Sequence, residues 1–216
     1  MISEFHKIEE LFKEVSATLK QNIDIYVIGG AVLLYHGLKS ATKDIDVVVE
    51  TKKEFLYLQQ VLHEAGFKPV APGTEYSRMN LSQILSRKDF RLDIFQSQVC
   101  GGFSISEGMK KRATKVAALG RLNLFLCSKE DILLFKTMTE REGDLEDCIN
   151  LAKTGIDWNA VISELKHQIK HSRKDIWITW VGERLDLLEE RGVNIPVMKE
   201  LNVLREEYYL GFEKSD

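Results

Sequence analysis

The chain has few cysteines and no long apolar run, and each shortage excludes a class of protein. Its three cysteines, Cys100, Cys127 and Cys148, lie far apart, are odd in number and form no C-x-x-C pair. They therefore fit neither a disulfide framework nor a zinc site. No apolar run approaches the length of a membrane span, and the acidic first segment, MISEFHKIEE, lacks the apolar core of a signal peptide. We expect a cytoplasmic protein that makes no contact with a membrane.

The chain also carries little net charge. The formal charge is −3 at pH 7, with 44% hydrophobic and 29% charged residues. This composition is typical of an ordinary globular protein. Because the net charge gives no overall attraction to nucleic acid, any such binding must use local basic patches. The 216 residues allow one large domain or two small ones.

What the chain does have is a distinctive stretch from Tyr26 to Glu50, YVIGGAVLLYHGLKSATKDIDVVVE. A first apolar run stops at Gly29-Gly30, and a second, strand-like run carries Asp44 and Asp46. Side chains alternate along a strand, so the two carboxylates point the same way. Two such charges about 4 Å apart repel by roughly 4 kcal/mol at an effective dielectric near 20. Either a proton or a cation must relieve that repulsion, and the cation is the sharper hypothesis.

A third acid, Asp93, lies between apolar neighbours in a further strand-like run, RLDIF. If that strand pairs with the first, three carboxylates converge, and such a cluster suits a hard cation such as Mg²⁺ or Mn²⁺. The Gly29-Gly30 turn joins a strand to a short helix, where a phosphate can approach backbone N–H groups. Together these features indicate a site that handles nucleotides.

The ordered set Gly29-Gly30, Asp44-x-Asp46 and Asp93 resembles the nucleotidyltransferase fold of the DNA polymerase beta superfamily. The phrase ATKDID, ending at Asp46, is similar to the AbiEii-type branch of toxin-like transferases. The matching motifs lie between residues 20 and 155. The resemblance implies an α/β (α+β) fold, with a mixed-sheet nucleotidyltransferase domain over residues 1–127 and an all-helical domain over 128–216.

The resemblance also implies an activity and the residues for it. The expected reaction moves a nucleoside monophosphate from a nucleoside triphosphate to a hydroxyl on RNA or protein, with Mg²⁺ or Mn²⁺ as cofactor and an antitoxin-like protein as a possible partner. The implied metal ligands and catalytic residues are Asp44, Asp46 and Asp93, and the implied nucleotide contacts are Gly29, Gly30, Thr42, Lys43 and Lys136.

Helical patterns follow one another from Ser128 to the end of the chain. By the resemblance, Lys136 would contact nucleotide phosphate and Asp147 would orient the base or serve the structure. Asp144 and Asp147 also fit a simpler interpretation, since acids near a helix N-terminus gain about 0.3–1 kcal/mol from the helix dipole. Both interpretations stay open. His167 and His171 have helical metal-binding spacing but lack a carboxylate partner, so we expect ordinary surface histidines.

Three local patterns make further predictions. Apolar spacing predicts a helix from Ser3 to Gln21, with Ser3 as a possible N-cap. The run from Tyr76 to Leu85 is expected to be a strand that forms a hairpin with Phe90–Phe95. The basic run Lys110-Lys111-Arg112 is interpreted as a solvated helix end rather than a contact with phosphate or RNA.

Two other classes of function compete with the transferase. The first is a non-catalytic interaction protein that keeps the fold, such as a toxin–antitoxin component; clustered repelling acids argue against it. The second is a metal-binding phosphohydrolase, against which the strand–Gly-Gly–helix turn argues.

Overall fold

The computed structural model describes residues 1–71 and 80–213. The chain divides into two compact units, Met1–Ser128 and Lys129–Asp216. The first unit mixes strands and helices, and the second is built from helices. The expected fold class, a mixed-sheet domain followed by a helical part, is therefore confirmed.

A seven-stranded mixed sheet forms the centre of the first unit, in the order β3-β4-β5-β2-β1-β9-β8. The elements of this unit are α1 (His6–Ser16), β1 (Ile23–Ile28), α2 (Gly30–Tyr35), β2 (Ile45–Val49), α3 (Lys52–Glu64), β3 (Lys68–Val70), β4 (Leu81–Arg87), β5 (Phe90–Gln96), β6 (Gln98–Val99), β7 (Phe103–Ser104), α4 (Glu107–Arg112), β8 (Thr114–Leu119) and β9 (Leu122–Leu126).

The register of the central strands decides which side chains share a face of the sheet. Val27 lies opposite Val47, which in turn lies opposite Ile94, and all three are fully buried. Because side chains alternate along each strand, the neighbouring positions face the other way. On that second face Asp46 of β2 lies opposite Asp93 of β5. The expected pairing of the two acid-bearing strands is therefore confirmed, and the pairing is parallel.

The first helix is shorter than its apolar spacing predicts. It begins at His6, with Phe5 rather than Ser3 at the N-cap position, and no side chain caps it. The reason lies upstream, where Ile2 and Thr42 exchange two backbone hydrogen bonds of 2.8 Å each. This isolated bridge holds the chain extended just before the helix.

The hairpin of β4 and β5 is confirmed, with Leu85 opposite Leu92. Part of the strand expected from Tyr76 onward lies outside the described residues, since β4 is described from Leu81. A small second sheet of β6 and β7 turns through Cys100, Gly101 and Gly102, all at positive φ.

The second unit contains the helices α5 (Lys129–Thr137), α6 (Glu142–Ala152), α7 (Trp158–Ser172), α8 (Trp177–Glu190) and α9 (Met198–Glu213). These helices match the helical patterns expected from Ser128 onward. Trp177 and Leu201 are fully buried at its centre. Within the described ranges, no helix combines the length and apolarity needed to cross a membrane.

Candidate active site

The glycine pair between β1 and α2 makes room for two polar side chains. Gly29 has φ 66° and ψ −145°, in a region that favours glycine. A Cβ atom at Gly29 would lie 2.2 Å from Oδ2 of Asp46, and one at Gly30 would lie 2.7 Å from Oγ1 of Thr42. Both glycines therefore let the turn approach the loop and strand that carry the expected acids.

Thr42 fixes the loop before β2. It is 4% exposed, and its hydroxyl donates a 3.0 Å hydrogen bond to the carbonyl oxygen of Asp44. Its backbone is held by Ile2 on the other side. In this structure Thr42 supports the main chain at Asp44, while the next residue, Lys43, is exposed.

The three expected acids differ in exposure. Asp44 immediately precedes β2, Asp46 lies within it, and both are half-buried. Asp93 is fully buried in β5, directly opposite Asp46. The structure therefore brings Asp46 and Asp93 side by side, next to the Gly29 turn.

Arg91 binds the carboxylate of Asp93 through both arms of its guanidinium. Its Nε donates to Oδ1 at 2.7 Å and its terminal Nη2 donates to Oδ2 at 2.8 Å. The Arg91 side chain is 32% exposed, whereas that of Asp93 is 0% exposed. The motif analysis missed this pair. The available signal was the spacing, because residues two apart on a strand share a face.

These residues fit a divalent cation in part. Half-buried carboxylates such as those of Asp44 and Asp46 supply the oxygen ligands that Mg²⁺ prefers. The oxygens of Asp93 accept hydrogen bonds from Arg91. Among the described residues, no group of three or more His, Cys, Asp or Glu side chains is arranged to hold a metal ion. A cation at Asp93 would therefore have to share these two oxygens with Arg91 or displace it.

An aromatic pair lies on the same sheet face as Asp46. The rings of Tyr26 and Phe125 stack with centroids 5.1 Å apart. Burial, together with the nearby charges of Glu50 and Asp24, raises the pKa of the Tyr26 hydroxyl to about 12. Tyr26 is therefore a neutral phenol at physiological pH and not a general base.

Lys110 does not conform fully to the solvated helix end that we expected. Its ammonium pairs with Glu50, and with Glu107 at 2.7 Å. Burial by itself lowers the pKa of Lys110, but the hydrogen bonds with both glutamates outweigh burial and raise it. The next residue, Lys111, is exposed as expected.

In the helical unit Lys136 joins two acids. Its Nζ lies 2.6 Å from Oδ1 of Asp144 and 2.8 Å from Oδ2 of Asp147, and Lys136 is 7% exposed. Thr139 and Arg141 each add a 2.6 Å hydrogen bond to Asp144. The ammonium expected at a nucleotide phosphate thus ties α5 to α6 in this structure.

Burial and charge act in opposite directions on this group. Burial alone would raise the pKa of Asp144, yet the charge and hydrogen bond of Lys136, with help from Thr139 and Arg141, lower it to about 2. Burial likewise lowers the pKa of Lys136, but the two carboxylates raise it above its ordinary value. Lys136 and Asp144 are therefore both charged at neutral pH.

Comparisons with known proteins bear on this arrangement. Residues 4–179 match the model of a family described as nucleotidyltransferase of unknown function (DUF6036). No curated protein matches the chain. The crystal structure of ANT(2'')-Ia in complex with adenylyl-2''-tobramycin is similar with a TM-score of 0.51 and 12% identity, over 77% of this chain and 99% of that one.

The solution structure of the antibiotic-resistance factor ANT(2'')-Ia is similar to the same degree. Its TM-score is 0.51 and its identity 14%, over 79% of this chain and 95% of that one. At these identities the likeness shows the fold, and the family match covers most of the chain. The chain therefore belongs to the nucleotidyltransferase family DUF6036 and is an enzyme of that class.

Proposed function

We propose that this enzyme transfers a nucleoside monophosphate from a nucleoside triphosphate to a hydroxyl group on RNA or protein, with release of pyrophosphate. One observation carries the proposal. Asp46 lies beside Asp93 on paired strands and against the Gly29 turn, so two acids meet a turn whose backbone a phosphate can approach.

In this proposal Asp44 and Asp46 hold Mg²⁺ or Mn²⁺, and Asp93 completes the site near the acceptor hydroxyl. The bound cation would activate the attacking oxygen and neutralise the leaving one. The backbone of Gly29 and Gly30 would line the triphosphate. Lys43, which is exposed in the loop before β2, can reach a phosphate without breaking a contact that the structure describes.

Thr42 and Lys136 complete the proposed nucleotide contacts, with different support. Thr42 contacts the nucleotide only through its loop, since its hydroxyl donates to Asp44. Lys136 must share its charge between the nucleotide and its two acids, Asp144 and Asp147. Of these two, we expect Thr42 to affect the geometry of the site and Lys136 to affect the stability of the helical unit.

The finer assignment within the superfamily belongs to the same proposal. The phrase ATKDID, ending at Asp46, supports the AbiEii-type branch and, with it, an antitoxin-like partner. A cytoplasmic location is supported by the cysteines, since Cys100, Cys127 and Cys148 are buried thiols that form no disulfide in the part of the chain that the structure describes.

The test is incubation with each α-labelled nucleoside triphosphate, Mg²⁺ and one of three acceptors: total RNA, a cell protein extract or tobramycin. The third arm is included because adenylyl-2''-tobramycin is bound in the similar ANT(2'')-Ia structure. We expect the label on RNA or on protein. Label on tobramycin alone would overturn the acceptor class but keep the reaction.

A double variant, Asp44→Asn with Asp46→Asn, is the matched control for the site. It should fold and transfer no label, because relief of carboxylate repulsion can raise the stability of the metal-free protein. Transfer that persists in the double variant would refute the site. Labelled nucleoside mono- or diphosphate without transfer to an acceptor would indicate a phosphohydrolase. A nucleoside triphosphate that stays unchanged with every acceptor would indicate a non-catalytic interaction protein.

A further inference from the structure

The pair of Arg91 and Asp93 differs from the other two-armed arginine pair of this unit. Arg87 binds Glu14 through both terminal nitrogens at 2.6 and 2.8 Å. In that pair the acid is on the outside, since the Glu14 side chain is 58% exposed and that of Arg87 only 17%. In the Arg91–Asp93 pair the order is reversed, with the acid fully buried and the arginine 32% exposed.

A fully buried carboxylate needs a counter-charge, because an isolated buried charge is very costly. In this structure Arg91 supplies it through a fork that matches both carboxylate oxygens. Arginine stays protonated throughout the physiological range, so the counter-charge is present at every working pH. A cation that bound Asp93 would require the same oxygens and would supply the same neutralisation.

The two groups are not equally free to move. Asp93 is held in the middle of the sheet, between Ile84 of β4 and Asp46 of β2. Arg91 lies near the start of β5 and keeps about a third of its side chain in solvent. Its long chain therefore reaches solvent, while Asp93 stays in register with Asp46.

We propose that Arg91 is a positioning residue that competes with the divalent cation for the carboxylate of Asp93 and so sets the metal affinity of the site. This inference rests on the proposed function, since it takes Asp46 and Asp93 as ligands. Arg91 holds the buried carboxylate in place before the cation arrives. It withdraws toward solvent when the cation binds.

The test is Mn²⁺ binding to the full chain without nucleotide, measured by the electron paramagnetic resonance signal of free Mn²⁺. Arg91→Gln should bind Mn²⁺ about 10- to 100-fold more tightly than the parent, the change that corresponds to losing a hydrogen-bonded competitor of a charged group. Arg91→Lys, which keeps the charge but loses the fork, should lie between the two. Arg87→Gln, which breaks the other two-armed pair, should match the parent.

Two outcomes would overturn the inference. Equal or weaker binding by Arg91→Gln would make Arg91 a structural counter-charge only. Parent-like binding by Arg91→Lys, with tighter binding by Arg91→Gln, would mean that charge acts at a distance without competition. If Arg91→Gln failed to fold, the lysine variant alone would decide, because it retains the counter-charge.

Asp46→Asn separates this inference from the proposed function. If that variant binds Mn²⁺ as the parent does, the metal site is elsewhere and both proposals fail. If it loses Mn²⁺ while the Arg91 variants match the parent, only the role of Arg91 fails. Loss in Asp46→Asn with tighter binding in Arg91→Gln and intermediate binding in Arg91→Lys supports both.

Discussion

Each unit of this molecule contains a close pair of acids, and the two pairs differ in burial. Asp44 and Asp46, at the start of β2, remain half-buried beside the glycine turn. Asp144 and Asp147 of α6 are each 5% exposed and share the ammonium of Lys136. A ligand can reach the first pair from solvent, whereas the second pair is closed around its own counter-charge.

The spacing of the acids does not reveal this difference. Asp44-x-Asp46 and Asp144-x-x-Asp147 are both patterns that place carboxylates on one face of their element. Burial with an internal cation makes the second pair part of the packing between α5 and α6. An acid pair is therefore a candidate ligand site when it stays accessible to solvent. It is a structural contact when a buried side-chain cation, here Lys136, neutralises it.

The largest expected effect is a loss of transfer activity when an acid of the accessible pair, Asp44 and Asp46, is replaced. Asp46→Asn should lower the transfer rate by about 10²–10⁴-fold, the typical loss for one acid–base or metal-positioning group. Single-turnover transfer of labelled nucleotide measures it. Asp89→Asn is the matched control, since this exposed acid lies in the turn before β5. An equal loss in both variants would contradict the assignment of Asp46.

Substitution in the buried pair, Asp144 and Asp147 with Lys136, should instead change the stability of the protein. Lys136→Ala leaves two carboxylates buried without their ammonium and should lower the free energy of unfolding by about 3–5 kcal/mol. Urea denaturation followed by tryptophan fluorescence measures this, because all three tryptophans of the chain lie after residue 128. Unchanged stability with weaker nucleotide affinity would instead place Lys136 at the nucleotide.

An exposed ion pair of the same unit provides the control for that measurement. Lys166 pairs with Glu200, and their side chains are 44% and 48% exposed. Lys166→Ala should cost below about 1 kcal/mol, the usual range for surface pairs. A loss as large as that of Lys136→Ala would show that burial does not explain the difference.

The sequence was sufficient for those parts of the site that depend on local spacing. Strand alternation placed Asp44 and Asp46 together, and the glycine pair at Gly29 marked the strand-to-helix turn. The ordered motif also indicated that the strand of Asp93 pairs with β2. Each of these inferences uses residues close in sequence or a pattern shared with a known fold.

The remaining contacts join residues whose meeting depends on tertiary packing. Thr42 pairs with Ile2 across forty residues, and Lys136 reaches Asp144 only because α5 packs on α6. No local spacing encodes such contacts. The Arg91–Asp93 pair is the exception. Side chains alternate along a strand, so the sequence already places these two residues on the same face of β5.

The glycine turn allows a sharper test of the accessible pair. Gly29 and Gly37 both have positive φ, of 66° and 68°, so alanine at either position incurs backbone strain. With ψ of −145°, Gly29 also lies close to a region that only glycine adopts readily. Only at Gly29 would the new Cβ overlap Asp46, at 2.2 Å from Oδ2; at Gly37 nothing lies within 4 Å. Gly29→Ala should therefore lower transfer by about 10²-fold through misplacement of Asp46. Gly37→Ala should transfer at the rate of the parent.

Gly29→Ala should lose more stability than Gly37→Ala in a thermal unfolding assay, since its new Cβ also overlaps Asp46. Equal transfer rates for the two would mean that the position of Asp46 is unimportant for the reaction. A loss of transfer in both would assign the effect to backbone strain.

The last prediction concerns how the stability from the buried contact between Lys136 and Asp144 depends on pH. The pKa of Asp144 is about 2 in the folded protein and 3.8 by its ordinary value, a difference that corresponds to about 2 kcal/mol. Because the folded pKa is the lower one, this stability is present above about pH 4 and is lost as the pH falls toward 2. Asp144→Asn removes this titration, so the stability gap between parent and variant should narrow by that amount from pH 5 to pH 2. Tryptophan fluorescence in urea at each pH measures the gap. A gap that stays constant would mean that Lys136 does not hold Asp144 ionised, and the second pair would lose its distinction from the first.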